Sequence, residues 1–299
     1  MAILLAMVIL YSGYRLWQNN RPVSAPSPQL ISDSLENGIS WLQRNREIIL
    51  GKNNPMLWWF VKESADITND ERLHALFAEY KRRHLETNPN TIWWHLFNAQ
   101  SKGPVVIWQL EHLPDYNLYF IYGATCDPAL RKEEIIRRQN TPEFCANYHP
   151  FSPACVTHQL MGVRLAQRRH CLDPQVARQL VLSLQEKIIK QLVWDPRVVD
   201  VYIQRVLMLA ESGMAQKIKP VWLQRILDAQ LADGGWGSLY MLLPVSRTHY
   251  LGLTDRPVIM EPRSNFHTTA QGVFLFSLLA GGQDRDTLQN GESHFPYGQ

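Results

Sequence analysis

Apolar residues recur at helical spacing along most of the chain. In "SDSLENGISWLQRNRE" Leu35, Ile39 and Leu42 share one face, and Ser32 or Asp33 is the expected N-cap. "NPMLWWFVKESA" predicts a short, strongly apolar helix started by Pro55. "TNDERLHALFAEYKRRH" opens on a cap and an acidic turn and closes on basic residues, as the helix dipole favours. Residues 100–150 are less regular: "KGPVVIWQLEHLPDYNLYFIYGATCDP" mixes β-branched and aromatic runs with Pro104, Pro114 and Pro128, enough for a short strand or two but not for a sheet. Beyond them, helices are expected at about Pro153–Arg168, Pro174–Gln191, Pro196–Ser212, Pro220–Ala232 and Phe266–Ala280, most of them opened by a proline.

These helices differ in character. "QVARQLVLSLQEKIIKQL" carries Val176, Leu180, Leu184 and Ile188 on one stripe with charges opposite, so it belongs outside. "PRVVDVYIQRVLMLA" and "HTTAQGVFLFSLLA" are apolar nearly all round and belong inside. The expected fold class is therefore all-α (mostly), with inner and outer helices alternating as in an α/α toroid. No strict repeat accompanies the alternation.

"WLQRILDAQLADGGWG", Trp222 to Gly237, ends a helix on a Gly-Gly-Trp-Gly turn. Gly234 and Gly235 suit a C-cap, and Trp236 is placed to fold its large apolar face between helices or to stack on a ligand. This stretch resembles the helix-to-turn segment of the terpenoid cyclase and protein prenyltransferase superfamily. "NFHTTAQGVFLFSLL" is similar to an inner helix of the prenyltransferase β-subunits, and "WLQRN" (Trp41 to Asn45) echoes the same repeat. The resemblance covers the C-terminal third, implies a toroid, and makes a prenyltransferase-like transferase one expected activity. The acidic DxDD of proton-initiated cyclases and an Asp-x-Cys metal pair are absent.

The N-terminus changes the picture. "MAILLAMVILYSGYRLW" is apolar for about 14 residues before Arg15, short of the ~20 that span a bilayer comfortably. Residues 1–17 are nevertheless expected to be an uncleaved signal anchor, a single membrane pass, with residues 18–29 a stalk-like linker and 30–299 the helical domain. Arg15 and Arg21 alone argue for a cytoplasmic body. Short N-terminal anchors more often lead exported domains, and export is the expectation. Four cysteines allow two disulfides or buried thiols. An unbroken helix would separate Cys155 and Cys171 by about 24 Å, so Cys126 with Cys145 is the expected pair.

With 45% hydrophobic residues, the 299-residue chain can bury one large core. Its net charge of +3 is spread thinly, and Arg164, Arg168 and Arg169 read as a solvated helix end, so no nucleic-acid partner is expected. P-loop, dinucleotide, G-x-S-x-G and HExxH signatures are absent. Cys145, His149, Cys155 and His158 have no structural-zinc spacing.

In a toroid the inner helices run parallel and gather their N-termini at one mouth. His158, Asp200 and His267 all lie near such ends, with Cys155 one turn before His158. They are candidate ligands for zinc or another divalent metal, or metal-free acid and base groups. Tyr202 joins His158, Asp200 and His267 as a candidate catalytic residue. Trp236, Tyr240, Arg247 and Tyr250 are candidate substrate contacts, and His249 a further polar candidate. Ser238 to Asn265 forms an expected lip on which Arg247, Arg256 and Arg263 meet an anionic substrate. The function expected is an enzyme acting on a glycan or lipid-like ligand; a non-catalytic binding or scaffold protein is the rival.

Overall fold

The computed structural model describes residues 2–88, 90–98, 113–145, 154–254 and 256–288. His149, Pro150, Pro153 and the β-branched run around Pro104 lie outside them. The described residues are mostly helical. In chain order come α1 (Ala2–Asn20), α2 (Pro28–Arg44), α3 (Arg46–Leu50), α4 (Pro55–Thr68), α5 (Glu71–Tyr80) with a π-helical extension to Glu86, α6 (Trp94–Phe97), α7 (Asp115–Thr125), α8 (Glu134–Gln139), α9 (Cys155–Arg168), α10 (Pro174–Trp194), α11 (Asp200–Glu211), α12 (Pro220–Asp228) and α13 (Phe266–Leu288). Between α12 and α13, β1 (Tyr240–Pro244), β2 (Tyr250–Leu253) and β3 (Pro257–Met260) form an antiparallel sheet in that order.

Caps and prolines set the helix starts. α2 begins a turn earlier than expected: Pro28 occupies its first position and Ser27, not Ser32 or Asp33, is the N-cap, its hydroxyl accepting from Leu30 N. Asn54 precedes Pro55 and caps α4, Asp70 caps α5, and Asp173 caps α10 through Gln175 N and Val176 N. α11 waits until Asp200, although Pro196 was the expected start. Asp195 holds the Arg197 guanidinium at 2.7 and 2.9 Å, and the Pro196 carbonyl accepts from Arg225, so the chain stays extended there.

α13 is the central helix, packed by α2, α4 and α11; α9 packs against α7, α10 and α11. Trp236 answers for the Gly-Gly-Trp-Gly turn. It is fully buried, donates its Nε1 to the Ile226 carbonyl at 2.9 Å and stacks on Phe276. Gly38 on α2 and Gly272 on α13 let it in: a Cβ at Gly272 would stand 2.7 Å from the indole, and one at Gly38 2.8 Å from Val273 and 3.0 Å from the indole. Gly234, at φ 86°, turns the chain where a Cβ would meet the Asn37 carbonyl at 2.5 Å.

Two expectations are corrected. Cysteine pairing is Cys126–Cys171 and Cys145–Cys155, not Cys126–Cys145, and among the described residues no thiol is free. The reason is topological: α7 and α9 run side by side in the same direction, which sets Cys126 at the end of α7 beside Cys171 just past the end of α9. The membrane pass also falls. Among the described residues no helix is long and apolar enough to cross a membrane, α1 included, and the anchored location goes with it. The apolar run stops at Arg15, and the polar last turn of α1, assigned to a linker, is docked on the body. Buried Asn19 donates to Leu192 O at 2.6 Å and accepts from the Tyr202 hydroxyl at 2.8 Å, and its carbonyl accepts from Trp222 Nε1 at 3.0 Å.

Candidate functional site

The N-terminal ends of α4, α7, α9, α11 and α13 converge on one cavity of about 280 Å³. Each contributes from its cap or first turns: Asn53 to Leu57 and Phe60 at α4, Tyr116, Asn117 and Phe120 from α7, His158 and Met161 from α9, Gln204 from α11, and His267 and Gln271 from α13. Trp93 and Leu113 complete the wall. Exposure separates mouth from floor. Asn53, Asn54, Tyr116 and His267 reach solvent, whereas Phe60, Phe120, Met161, Gln204 and Gln271 are buried.

His158 is held between rings, 4.6 Å from Tyr116 and 6.1 Å from Phe120. Its Nδ1 lies 2.7 Å from the Ala154 carbonyl. A carbonyl only accepts, so Nδ1 carries the proton and Nε2 keeps the lone pair. Burial pulls its pKa below the ordinary histidine value, against the Ala154 hydrogen bond and the Asp200 charge; charge on His267 pushes the same way as burial. His267 has accessible surface towards the cavity yet is surrounded on most sides by protein. Burial lowers its pKa too, opposed by Asp200. Both imidazoles are therefore neutral at pH 7. Of the three residues expected together from sequence, His158 and His267 line the cavity, and Asp200 acts on both by its charge without being part of the wall.

Two glutamines were missed. Gln204 accepts the Thr157 hydroxyl at 2.8 Å through Oε1, which leaves its NH2 with donors to spare. Gln271 is 1% exposed, and neither its Nε2 nor its Oε1 has a hydrogen-bond partner among the described residues. A readable signal existed: each lies four residues, one helical turn, after a residue that was singled out, Gln204 after Asp200 and Gln271 after His267. On otherwise apolar helices that spacing makes a polar stripe.

The other candidates lie elsewhere. Tyr202 is buried with its hydroxyl on Asn19, and burial raises its pKa beyond any ordinary proton-transfer range. Trp236 is enclosed between α2 and α13, whereas Tyr240 and Tyr250 belong to the small sheet. Arg247 and His249 are exposed at its turn. No described residue from Ser238 to Asn265 lines the cavity; the stretch carries the small sheet and does not form the expected lip over this cavity. Cys155 is bonded to Cys145 and offers no thiolate. Among the described residues no three His, Cys, Asp or Glu side chains converge to hold a metal ion.

Among the described residues, the lining contains no Asp, Glu, Lys or Arg. Five amides, two neutral imidazoles and four aromatic rings make a polar but uncharged wall. Fold and site together define a mostly helical protein with an amide-rich cavity whose described walls carry no charged side chain. Comparison with protein-family models, curated proteins and solved structures found no match.

Proposed function

We propose that the chain is an α/α-toroid-like domain that takes a small, neutral, polyhydroxylated ligand, a glycan unit, into this cavity, where His158 Nε2 accepts a hydrogen bond from one of its hydroxyls. Gln271 carries the reading. A buried amide with both ends unpartnered costs about 1–3 kcal/mol, and a ligand offering both hydroxyl donors and acceptors removes that cost. The cavity size, near the ~300 Å³ lower end of small-molecule pockets, suits one sugar ring. Trp93, Tyr116 and Phe120 supply the apolar faces that pyranose rings stack on. A lipid-like or prenyl tail is disfavoured, because it would leave five amides desolvated and unbonded. The shared direction of the helix ends at the cavity and the resemblance of the Asp233–Trp236 turn to the cyclase and prenyltransferase superfamily support the toroid. A second reading, binding without turnover, is favoured by one observation: no carboxylate among the described residues lines the cavity, and the two-carboxylate route of glycoside hydrolysis needs a pair of them.

Gln271→Leu tests the proposal. The variant is expected to unfold at higher urea concentration, with about 1–2 kcal/mol more stability, and to bind neutral sugars at least ~10-fold more weakly by calorimetry, a loss of ~1.4 kcal/mol. Added chelator leaves wild-type binding unchanged. His158→Asn keeps affinity and abolishes any turnover if the site is catalytic. A Gln271→Leu protein that is less stable than wild type, with no sugar bound by either protein, overturns the reading.

A further inference from the structure

α11 has two polar faces. Asp200 and Gln204 share the cavity side; Tyr202 and Arg205, three residues apart, share another, towards α1 and the end of α10. On that second side the charges do not balance. Asp195 pairs with Arg197, at 2.7 and 2.9 Å, and with Arg205 at 2.9 Å. Arg15 and Arg225 stand beside this cluster, and neither forms an ion pair among the described residues. Two guanidiniums therefore share the Asp195 carboxylate, and Arg15 and Arg225 add positive charge that no carboxylate among the described residues pairs.

Arg15 and Arg225 are brought side by side by the packing of α1 on α12. Trp222 Nε1 donates to the Asn19 carbonyl and Lys219 Nζ to Asn20 Oδ1, each at 3.0 Å, so the last turn of α1 meets the first turn of α12. Stepping back one turn on α1 reaches Arg15, about 6 Å away, and stepping on one turn along α12 reaches Arg225, about 4.5 Å away. Arg15 sits over the Tyr240 ring at 5.1 Å, and both arginines act on the Tyr240 hydroxyl. Arg225 gives an Nη2 hydrogen bond to the Pro196 carbonyl at 2.5 Å and lies against the Tyr202 hydroxyl. The Nε atoms of both arginines are buried and have no acceptor among the described residues. Guanidinium Nε donors that are desolvated and unspent, next to a phenol, match a multi-oxygen anion.

We propose that Arg15 and Arg225, with the Tyr240 hydroxyl, form a binding site for a phosphate-type oxyanion at the junction of α1, α12 and β1. The sequence pattern places anion contacts on Arg247, Arg256 and Arg263 of the expected lip; the unspent buried Nε donors lie on Arg15 and Arg225. The site is on a different side of α11 from the cavity and does not depend on what the cavity binds.

Full-length protein titrated with inorganic phosphate at pH 7.5, against chloride at matched ionic strength, is the test. Saturable binding of one anion per chain is expected, with a rise in Tm. Arg225→Gln and Arg15→Gln each weaken it at least ~10-fold, a loss of ~1.4 kcal/mol, while Arg247→Gln and Gln271→Leu leave it unchanged. Tyr240→Phe keeps the ring under Arg15 and weakens binding by a few-fold only. Tighter binding of glycerol 3-phosphate than of inorganic phosphate identifies the anion as part of a larger ligand; the reverse order identifies free phosphate. Absence of saturable phosphate binding, or equal affinity in a folded Arg225→Gln protein, overturns the proposal.

Discussion

His158 illustrates how neighbours set the chemistry of a single side chain. The Ala154 carbonyl fixes the proton on Nδ1, Tyr116 and Phe120 exclude water, and the imidazole faces the cavity as a neutral acceptor. His267 shares the desolvation, and Asp200 opposes the shift in both. The consequence for stability has a definite sign. Both folded pKa values lie below the ordinary value of about 6.5 that imidazole has in an unfolded chain. As pH falls past 6.5 the unfolded chain takes up protons first, so stability present at pH 7.5 is lost progressively until the folded imidazoles themselves titrate. Urea unfolding at pH 7.5 and 5.5 is expected to show the loss, and His158→Asn with His267→Asn to reduce it. An unchanged pH dependence in the double variant would show that neither ring is desolvated in the fold.

Elements depend on close approach as much as on periodicity. The Asp233–Trp236 turn was legible as a staple because glycines, tryptophan and the preceding amphipathic helix agree locally. Its partners were not legible: Gly38 and Gly272 lie far away in sequence and matter only because Trp236 enters between their helices. Gly272→Ala is therefore expected to destabilise the protein by about 1–3 kcal/mol through overpacking, read from the urea midpoint. A neutral result would mean that the indole shifts without cost. Helix starts at Pro55, Pro174 and Pro220 were readable because proline acts within one turn. The sheet was not: β1 to β3 are four or five residues long, with no sustained alternation between buried and exposed positions across all three. Disulfide pairing failed for the same reason as the glycine contacts, because the parallel course of α7 and α9 is a tertiary fact. The cavity's histidines are legible by their position near helix starts, whereas Gln204 and Gln271 are single amides inside helices that read as apolar nearly all round.

At the scale of the whole molecule, α1 is a structural member rather than a tether. Counting apolar residues up to Arg15 weighed only the first part of the helix; the polar end, Gln18-Asn19-Asn20, decides where it goes. Asn19 links three elements at once, the end of α10, Tyr202 on α11 and Trp222 on α12, and Asn20 adds bonds to the Val193 carbonyl and Lys219. The same docking sets Arg15 beside Arg225, so the seating of α1 and the proposed anion site are one arrangement. Asn19→Ala leaves the Tyr202 hydroxyl and the Leu192 carbonyl without their partners in a buried setting. That predicts a loss of about 2–3 kcal/mol, together with faster limited proteolysis in residues 21–27, the extended stretch between α1 and α2. Saturating phosphate should slow that cleavage in the wild-type protein, because an anion shared by Arg15 and Arg225 binds only the docked state. If α1 were an independent leader, Asn19→Ala would change neither the urea midpoint nor the cleavage rate.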